Sequence, residues 1–410
     1  MHRIEAELLI PGRGEPVRGG VVVLDGPRIT YAGPAAGAPP ASDSVPVSRA
    51  AAVMPGMWDC HGHFLGTRTF DLGRLPLEPL ALRAARSARD LRAALDAGIT
   101  SVREVGGLGA DLARAVAEGV LDGPAIYAAG AILSTTGGHA DLHSYPLAWM
   151  DSWSREAGMM RLADGPDECA RAVREQLRRN AKVIKVCASG GVLSEIDDPI
   201  HQQFTVAELR AIVEVAGLAD RVVAAHCHGK PGIMAALRAG ARTIEHGTFL
   251  DDECCDAMRE SGAILVPTRT IIEDILAFRE AVPDYARVKL EALADTHAQA
   301  VTRAYEHGVT IAMGTDIGLT GPDRPNSWGQ NGSEPGYLVK LGMTALEAIE
   351  ATTATAPLTL GPQAPRSGQL AEGYDADVII LDADPLADIG VLADPDHVTG
   401  VWTGGRRVKG

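Results

Sequence analysis

Residues Glu78 to Val105 read EPLALRAARSARDLRAALDAGITSVREV. Leu80, Ala84, Ala88, Leu91 and Leu95 recur at spacings of three and four, which places them on one stripe and predicts an amphipathic helix over Glu78 to Ala97. Gly98 ends it, because glycine takes the left-handed conformation that closes a helix at no steric cost. A β-rich run, Ile99 to Val105, follows at once. The same junction recurs as Gly240 before Ala241 to Glu245, Gly262 before Ala263 to Val266, and Gly308 before Val309 to Ala312. With the runs Pro55 to Phe64, Ala125 to Gly130, Lys182 to Ala188 and Arg221 to His226, eight strands alternate with helices. Eight such units predict an α/β fold, a (β/α)8 TIM barrel, whose chemistry sits on loops at the strand C-termini. A doubly wound open sheet is the alternative, but no glycine-rich phosphate loop follows the first strand.

The ends of the chain read differently. Glu5 to Ile10, Gly20 to Leu24 and Arg28 to Ala32 have strand character, with Asp25 and Gly26 as a tight turn between the last two. A Pro/Ala/Ser-rich link, Gly33 to Ala52, comes next. About fifty residues of strand bury too little surface to stand alone. Ala376 to Leu381, and a hairpin of Val398 to Trp402 with Arg407 to Val408 around Gly404 and Gly405, offer a partner. The expected organisation is a composite β-sandwich domain from 1–52 plus 360–410, and a catalytic barrel over 53–359.

A length of 410 residues suits a barrel with an accessory domain, and a hydrophobic content of 46% suffices for its core. The formal charge of -15 opposes nucleic acid or an anionic membrane as partner, since both need a basic surface. No run of eighteen apolar residues occurs, and MHRIEAELLIPGRG carries charges where a signal peptide needs an apolar stretch, so a cytoplasmic location is expected. The six cysteines show no CxxC pair and are expected to be buried thiols. A small-molecule substrate is the expected partner; oligomeric state is unreadable, and a homo-oligomer is left open.

Chemistry concentrates where strands end. In Met54 to Gly66, MPGMWDCHGHFLG, strict strand alternation puts Asp59, His61 and His63 on one face and Trp58, Cys60 and Gly62 on the other. Two imidazoles on one strand end can bind one metal ion, and a nearby carboxylate can orient a ring. Other strand ends supply Lys185 in KVIKVCASGG, His226 in VVAAHCHG, His246 in TIEHG and Asp316 in IAMGTDIG. A barrel brings these positions together. The loop Ser134 to Asp164 carries His139, His143, Trp149 and Trp153; His139 is an expected oxyanion or substrate contact, and His143 a structural residue. Glu104 closes the second strand as a buried hydrogen-bond partner, Cys187 shares the face of Lys185 without a ligand role, and the loop Ile317 to Gly336 supplies another wall.

In order and spacing, PGMWDCHGH, VIKVCASGGVLS, AAHCHG, ARTIEHGT and MGTDIG resemble the amidohydrolase superfamily over essentially the whole chain. ASGGVLS and TTGGHADLH look most like its zinc prolidase and ochratoxinase-like carboxypeptidase branch. The resemblance implies two divalent ions, expected to be zinc. His61, His63 and Asp316 would hold one, His226 and His246 the other, and Lys185, carboxylated by CO2, would bridge them. It further implies attack by a metal-bridging hydroxide on the amide of a dipeptide or N-acyl amino acid, with Asp316 shuttling the proton. His228 is expected to contact substrate; relatives often have tyrosine there. Deamination, or hydrolysis of a cyclic amide or imidazolone ring, is the alternative. Those branches commonly use one metal and an acidic residue shortly after the fifth-strand histidine, where Gly229 and Lys230 stand here. A non-catalytic scaffold would be expected to lack ligands, and none is missing.

Overall fold

A computed structural model describes residues 1–42, 44–157 and 159–410, the side chains of 155–157 excepted. Residue 43 of the predicted link and residue 158 of the predicted loop 134–164 lie outside the described residues.

The predicted helix and strand form as Leu80–Asp96 and Ile99–Glu104. Gly98 joins them at φ 82°, and Gly240, Gly262 and Gly308 also have positive φ. Leu91, Ala94 and Leu95 of the helix are fully buried. Strands with the helix-alternating grammar pair in parallel throughout. One sheet of six runs Ile264–Val266, Thr243–His246, Val223–Cys227, Ile184–Cys187, Ile132–Ser134, Met160–Leu162. A second, of four, runs Ile317–Leu319, Met57–Thr67, Ile99–Glu104, Ala125–Ala128.

Backbone bonds link the edges of these sheets. Lys182 N donates to Ala128 O at 2.8 Å on one side. On the other, Ala312 N reaches Leu265 O at 2.9 Å and Cys60 N reaches Met313 O at 3.0 Å. The predicted strand Val309 to Ala312 is accordingly reduced to a single parallel bridge, Leu265 with Ile311, and the next residue, Met313, turns its N to Ala351 O at 3.0 Å. Ile184, Val186, Val223, Ala225 and Ile244 face the surrounding helices, in one apolar cluster with Val173, Leu209 and Ile212. Val183, Ala224, Ile264 and Val266 meet Trp58 and Cys60 in another.

The two ends of the chain share one mixed sheet of seven strands. Its order is Arg406–Lys409, Val398–Thr403, Val378–Leu381, Val47–Pro55, His2–Leu9, Val17–Asp25, Arg28–Pro34. Val47–Pro55 corrects the reading of Gly33 to Ala52 as a link: its last stretch is a central strand, parallel to His2–Leu9 and antiparallel to Val378–Leu381. Its alanines conceal a strand that tertiary pairing creates. Leu8, Ile10, Ala52 and Met54 pack in one cluster with Leu91, Ala94 and Ile99, fastening this sheet to the central body.

The strand Met57–Thr67 does not keep strict alternation. Asp59 pairs with Val102 but Gly62 with Glu104, so three residues on one strand span two on its neighbour. This extra residue is a bulge, which re-aims side chains. Cys60 packs inward with Trp58, and His61 still points toward the ends of the other strands. Asp59 turns aside, accepting from His61 N at 2.9 Å, Thr315 Oγ1 at 2.5 Å and Asn331 Nδ2 at 2.7 Å.

At the far end of that strand Gly66 has φ 62°, and a Cβ there would lie 2.1 Å from Arg83 O. Gly66→Ala should therefore lower the unfolding free energy by roughly 2–4 kcal/mol, at the upper end for single substitutions. Urea denaturation of the two proteins measures the difference directly.

Candidate metal centre

His61, His63, His139, Lys185, His226, His228, His246 and Asp316, contributed by six segments distant in sequence, all line one cavity. The imidazoles crowd together: ring centroids lie 5.3 Å apart for His61 and His63, 5.0 Å for His61 and His246, and 4.6 Å for His226 and His246. His139 stacks on His226 at 4.3 Å, and His228 on His246 at 5.0 Å. Lys185 Nζ lies 3.1 Å from His61 Nε2. Asp316 Oδ1 lies 3.2 Å from His63 Nε2 and 3.6 Å from His61 Nε2.

The backbone is bent to achieve this. His246 has φ 69° and Asp316 φ 60°, a region that residues other than glycine rarely enter. Such strain persists where surrounding contacts over-determine it, commonly at functional sites. Asp316 N is held by His61 O at 2.7 Å. His246 is followed by Gly247, whose N bonds Cys227 O at 2.9 Å.

Ring orientation is set from outside the cavity. His61 Nδ1 meets Glu245 Oε2 at 2.7 Å, His63 Nδ1 meets Gly106 O at 2.7 Å, and His226 Nε2 meets Gly190 O at 3.1 Å. These partners only accept, so a neutral ring gives its proton to them and keeps a lone pair on its other nitrogen. His246 Nδ1 lies 2.7 Å from Thr268 Oγ1, whose own proton goes to Pro267 O at 2.7 Å, so Thr268 accepts as well. Of the four histidines expected as ligands, His61, His226 and His246 thus present a bare nitrogen, whereas Nε2 of His63 faces the Asp316 carboxylate. His228 differs: its Nδ1 lies 2.7 Å from Thr248 Oγ1, which has no other hydrogen bond among the described residues. That hydroxyl can donate, leaving N–H on His228 Nε2.

Electrostatics keeps the rings of His61, His226, His228 and His246 neutral. Burial lowers His61 to about 4 and His228 to about 3, and drives His226 and His246 well below the usual imidazole range. For His63 burial acts downward, but the hydrogen bond and charge of Asp316 outweigh it and raise the value. Burial would raise Asp316; the neighbouring His61, His63 and Lys185 reverse that and hold it near 2. Burial also lowers Lys185 from the usual ammonium value.

This donor set suits divalent ions. Donor atoms of His61, His246 and Asp316 lie within 4.8 Å of one another, as do those of His226, His228 and His246. Neutral imidazoles with one ionised carboxylate are appropriate ligands for zinc and its neighbours.

Several residues that shape the site are not among the candidates the sequence offers. Glu245, not Asp59, is the carboxylate that orients His61. Arg103 grips Glu245 with Nη2 at 2.8 Å from both carboxylate oxygens, and also reaches Cys60 O at 2.6 Å and Thr243 Oγ1 at 2.9 Å. Their signal was present: a charge inside an otherwise apolar strand requires a buried partner. Glu104 is buried and pushed up to about 7 by that burial, close to Gly107 and Gly109. His143 lies outside the cavity, bonded to Gly138 O at 3.1 Å and Ile196 N at 3.3 Å. Cys187 lines the cavity without joining the donor clusters. Trp149 is exposed, whereas Trp153 is partly buried against the apolar cluster around Met159. From the loop Ile317 to Gly336, Leu319 and Asn326 reach the cavity, and Trp328 stacks on Phe64 at 4.0 Å. Lys230, beside His228 in sequence, turns to Asp251 and Glu253 at 2.6 Å each.

Ochratoxinase of Aspergillus niger is 44% identical over 425 residues, covering 99% of this chain and 86% of the relative. Its crystal structure superposes with a TM-score of 0.94 at 43% identity, over 100% of this chain and 95% of that one. A prolidase solved with N-methylphosphonate-L-proline gives a TM-score of 0.91 at 32% identity, over 100% and 99% of the two chains. Imidazolonepropionase of Streptomyces griseus is 27% identical, over 97% of this chain and 95% of the relative.

Because Glu245 fixes the ring of His61, Glu245→Gln should weaken metal affinity by about ten- to a hundredfold, as expected for a partner that orients a ligand. Competition with a chromogenic chelator reads this without any assay of activity. Residues 52–408 match the model of the amidohydrolase family, and the chain belongs to that family of hydrolytic enzymes.

Proposed function

We propose that the protein hydrolyses the amide bond of a dipeptide or N-acyl amino acid with a bulky apolar acyl group, at a binuclear metal centre. The two parallel sheets would together form a (β/α)8 barrel over 53–359, with the composite β-domain of 1–52 and 360–410 beside it. The backbone bonds across both sheet edges support that closure.

The observation that carries the reading is the common orientation of His61, His63, His226 and His246, each with its ring proton tied to a fixed acceptor. His61, His63 and Asp316 would hold one ion, His226 and His246 the other, with carboxylated Lys185 between them. Bound divalent ions, zinc by preference of the donors, supply Lewis-acid polarisation of the amide carbonyl and acidification of water. Lys185 is suited to carboxylation because burial favours its neutral amine. That amine forms an N–C bond to CO2 and releases one proton, leaving an anion with two donor oxygens.

Asp316 is ionised at neutral pH and can accept the proton of the attacking water, then return it to the leaving amine nitrogen. His228 would offer Nε2–H to the substrate carbonyl oxygen, and His139 lines the same cavity as a second substrate contact. Phe70, Leu72, Ile132, Val192, Ile272 and Leu293 line the remaining walls, which favours an extended apolar acyl group. Amide hydrolysis by ochratoxinase and the prolidase neighbour point the same way.

Amine release from pooled dipeptides and N-acyl amino acids, with enzyme supplied with zinc and bicarbonate, should appear in pools with large apolar acyl groups. Silence from metal-loaded protein would reject this substrate class. Lys185→Ala and Asp316→Asn should each abolish turnover while circular dichroism stays unchanged; near-normal rates in both would refute the binuclear mechanism. His139→Ala should slow turnover but retain the metal content measured by atomic emission.

A further inference from the structure

Lys289 lies on the helix Asp284–Glu306, whose Leu290 and Leu293 line the cavity. Its side chain is only 18% exposed, and its ammonium points away from bulk water into the loop that follows Lys185. Three backbone carbonyls converge on Nζ: Gly191 O at 3.1 Å, Ser194 O at 2.7 Å, and Asp197 O. Asp197 Oδ1 stands 3.7 Å away as counter-charge. An ammonium has three donors, and here each finds an acceptor on a different residue of one loop.

The clamped loop in turn encloses His139. Ser194 Oγ lies 2.7 Å from His139 Nδ1. Gly191 faces the ring so closely that a Cβ would sit 2.2 Å from its atoms. Asp197 Oδ2 accepts from Gly191 N at 2.9 Å and from Gln203 Nε2 at 3.1 Å, and Gln203 Oε1 accepts from His139 N at 3.0 Å. The ring held in this way stacks on His226, while Val192 and Leu193 of the same loop line the cavity.

We propose that Lys289 is a positioning residue: by gathering the carbonyls of residues 191–197 it sets the orientation of His139 over His226. The consequence for turnover rests on the role given to His139 above; the consequence for geometry does not. A charge-assisted bond to each carbonyl makes the lysine stronger than a neutral donor, and its compact head can meet three acceptors where a planar guanidinium cannot.

The test uses the metal-loaded full chain as Lys289→Met, Lys289→Arg, Ser194→Ala, His139→Ala and the double Lys289→Met/His139→Ala. In Lys289→Met the imidazole 15N resonances of His139, assigned by their loss in His139→Ala, should move while those of His61 stay. With the substrate found above, kcat should fall about ten- to a hundredfold with metal content unchanged. Lys289→Arg should recover part of that loss. Ser194→Ala, which leaves the clamp intact, should shift the same resonances. The double variant should be no slower than His139→Ala alone. Unmoved His139 resonances in folded Lys289→Met, or losses that multiply in the double variant, overturn the proposal. A His139→Ala protein running at the normal rate would instead remove His139 from the proposed mechanism, and the resonances would still decide the role of Lys289.

Discussion

Arg103 and Glu245 form an ion pair with neither side chain accessible to solvent, and the centre is built on it. Removing two charges from water costs several kcal/mol for each ion, so such a pair is a poor source of stability by itself. Its value here is geometric. Arg103 comes from one strand, Glu245 and Thr243 from another, and Cys60 O from a third, so one guanidinium ties three strands at the level of the site. Burial would raise the Glu245 carboxyl; the charge of Arg103 and the hydrogen bond of His61 outweigh it and keep the carboxylate ionised. An ionised Glu245 can only accept, and that requirement fixes which nitrogen of His61 remains bare.

The other rings follow the same logic with different acceptors. A peptide carbonyl orients His63 and another orients His226, while a threonine hydroxyl with its proton already committed orients His246. Neutrality of His61, His226 and His246 follows from burial and mutual proximity, since adjacent protonated rings would repel one another in a site that desolvates each. The centre therefore holds lone pairs at close range, an arrangement that a cation relieves. Left-handed backbone at His246 and Asp316 is the conformational cost of aiming both side chains into the cavity.

Around this polar floor the walls are apolar and come largely from connecting segments and helices: Phe70, Leu72, Met159, and the helices Arg269–Ala277 and Asp284–Glu306. The contrast divides labour between floor and walls. Ligand-type side chains stand at strand ends, where the backbone is held on both sides, and the apolar walls come from segments that other contacts must hold in place.

Much of this was legible before folding was considered. Helix periodicity and terminal glycine mark the alternating units, and imidazole, amine and carboxylate side chains recur at strand ends and the loops after them, so eight of the residues that line the cavity could be named from sequence. The bulge at Asp59 to Gly62 could not, because alternation is a local rule and the register of a neighbouring strand breaks it. Val47 to Ala52 read as part of a link because small residues have little strand preference of their own; the two partners of the strand lie near opposite ends of the chain. Sequence alone determined which chemistry the chain can bring to one place, since residue type and local period are properties of short segments. Only the tertiary structure decided which ring nitrogen faces inward, that Glu245 rather than Asp59 orients His61, and which loop encloses His139. Those depend on acceptors from distant segments, and no short segment contains them.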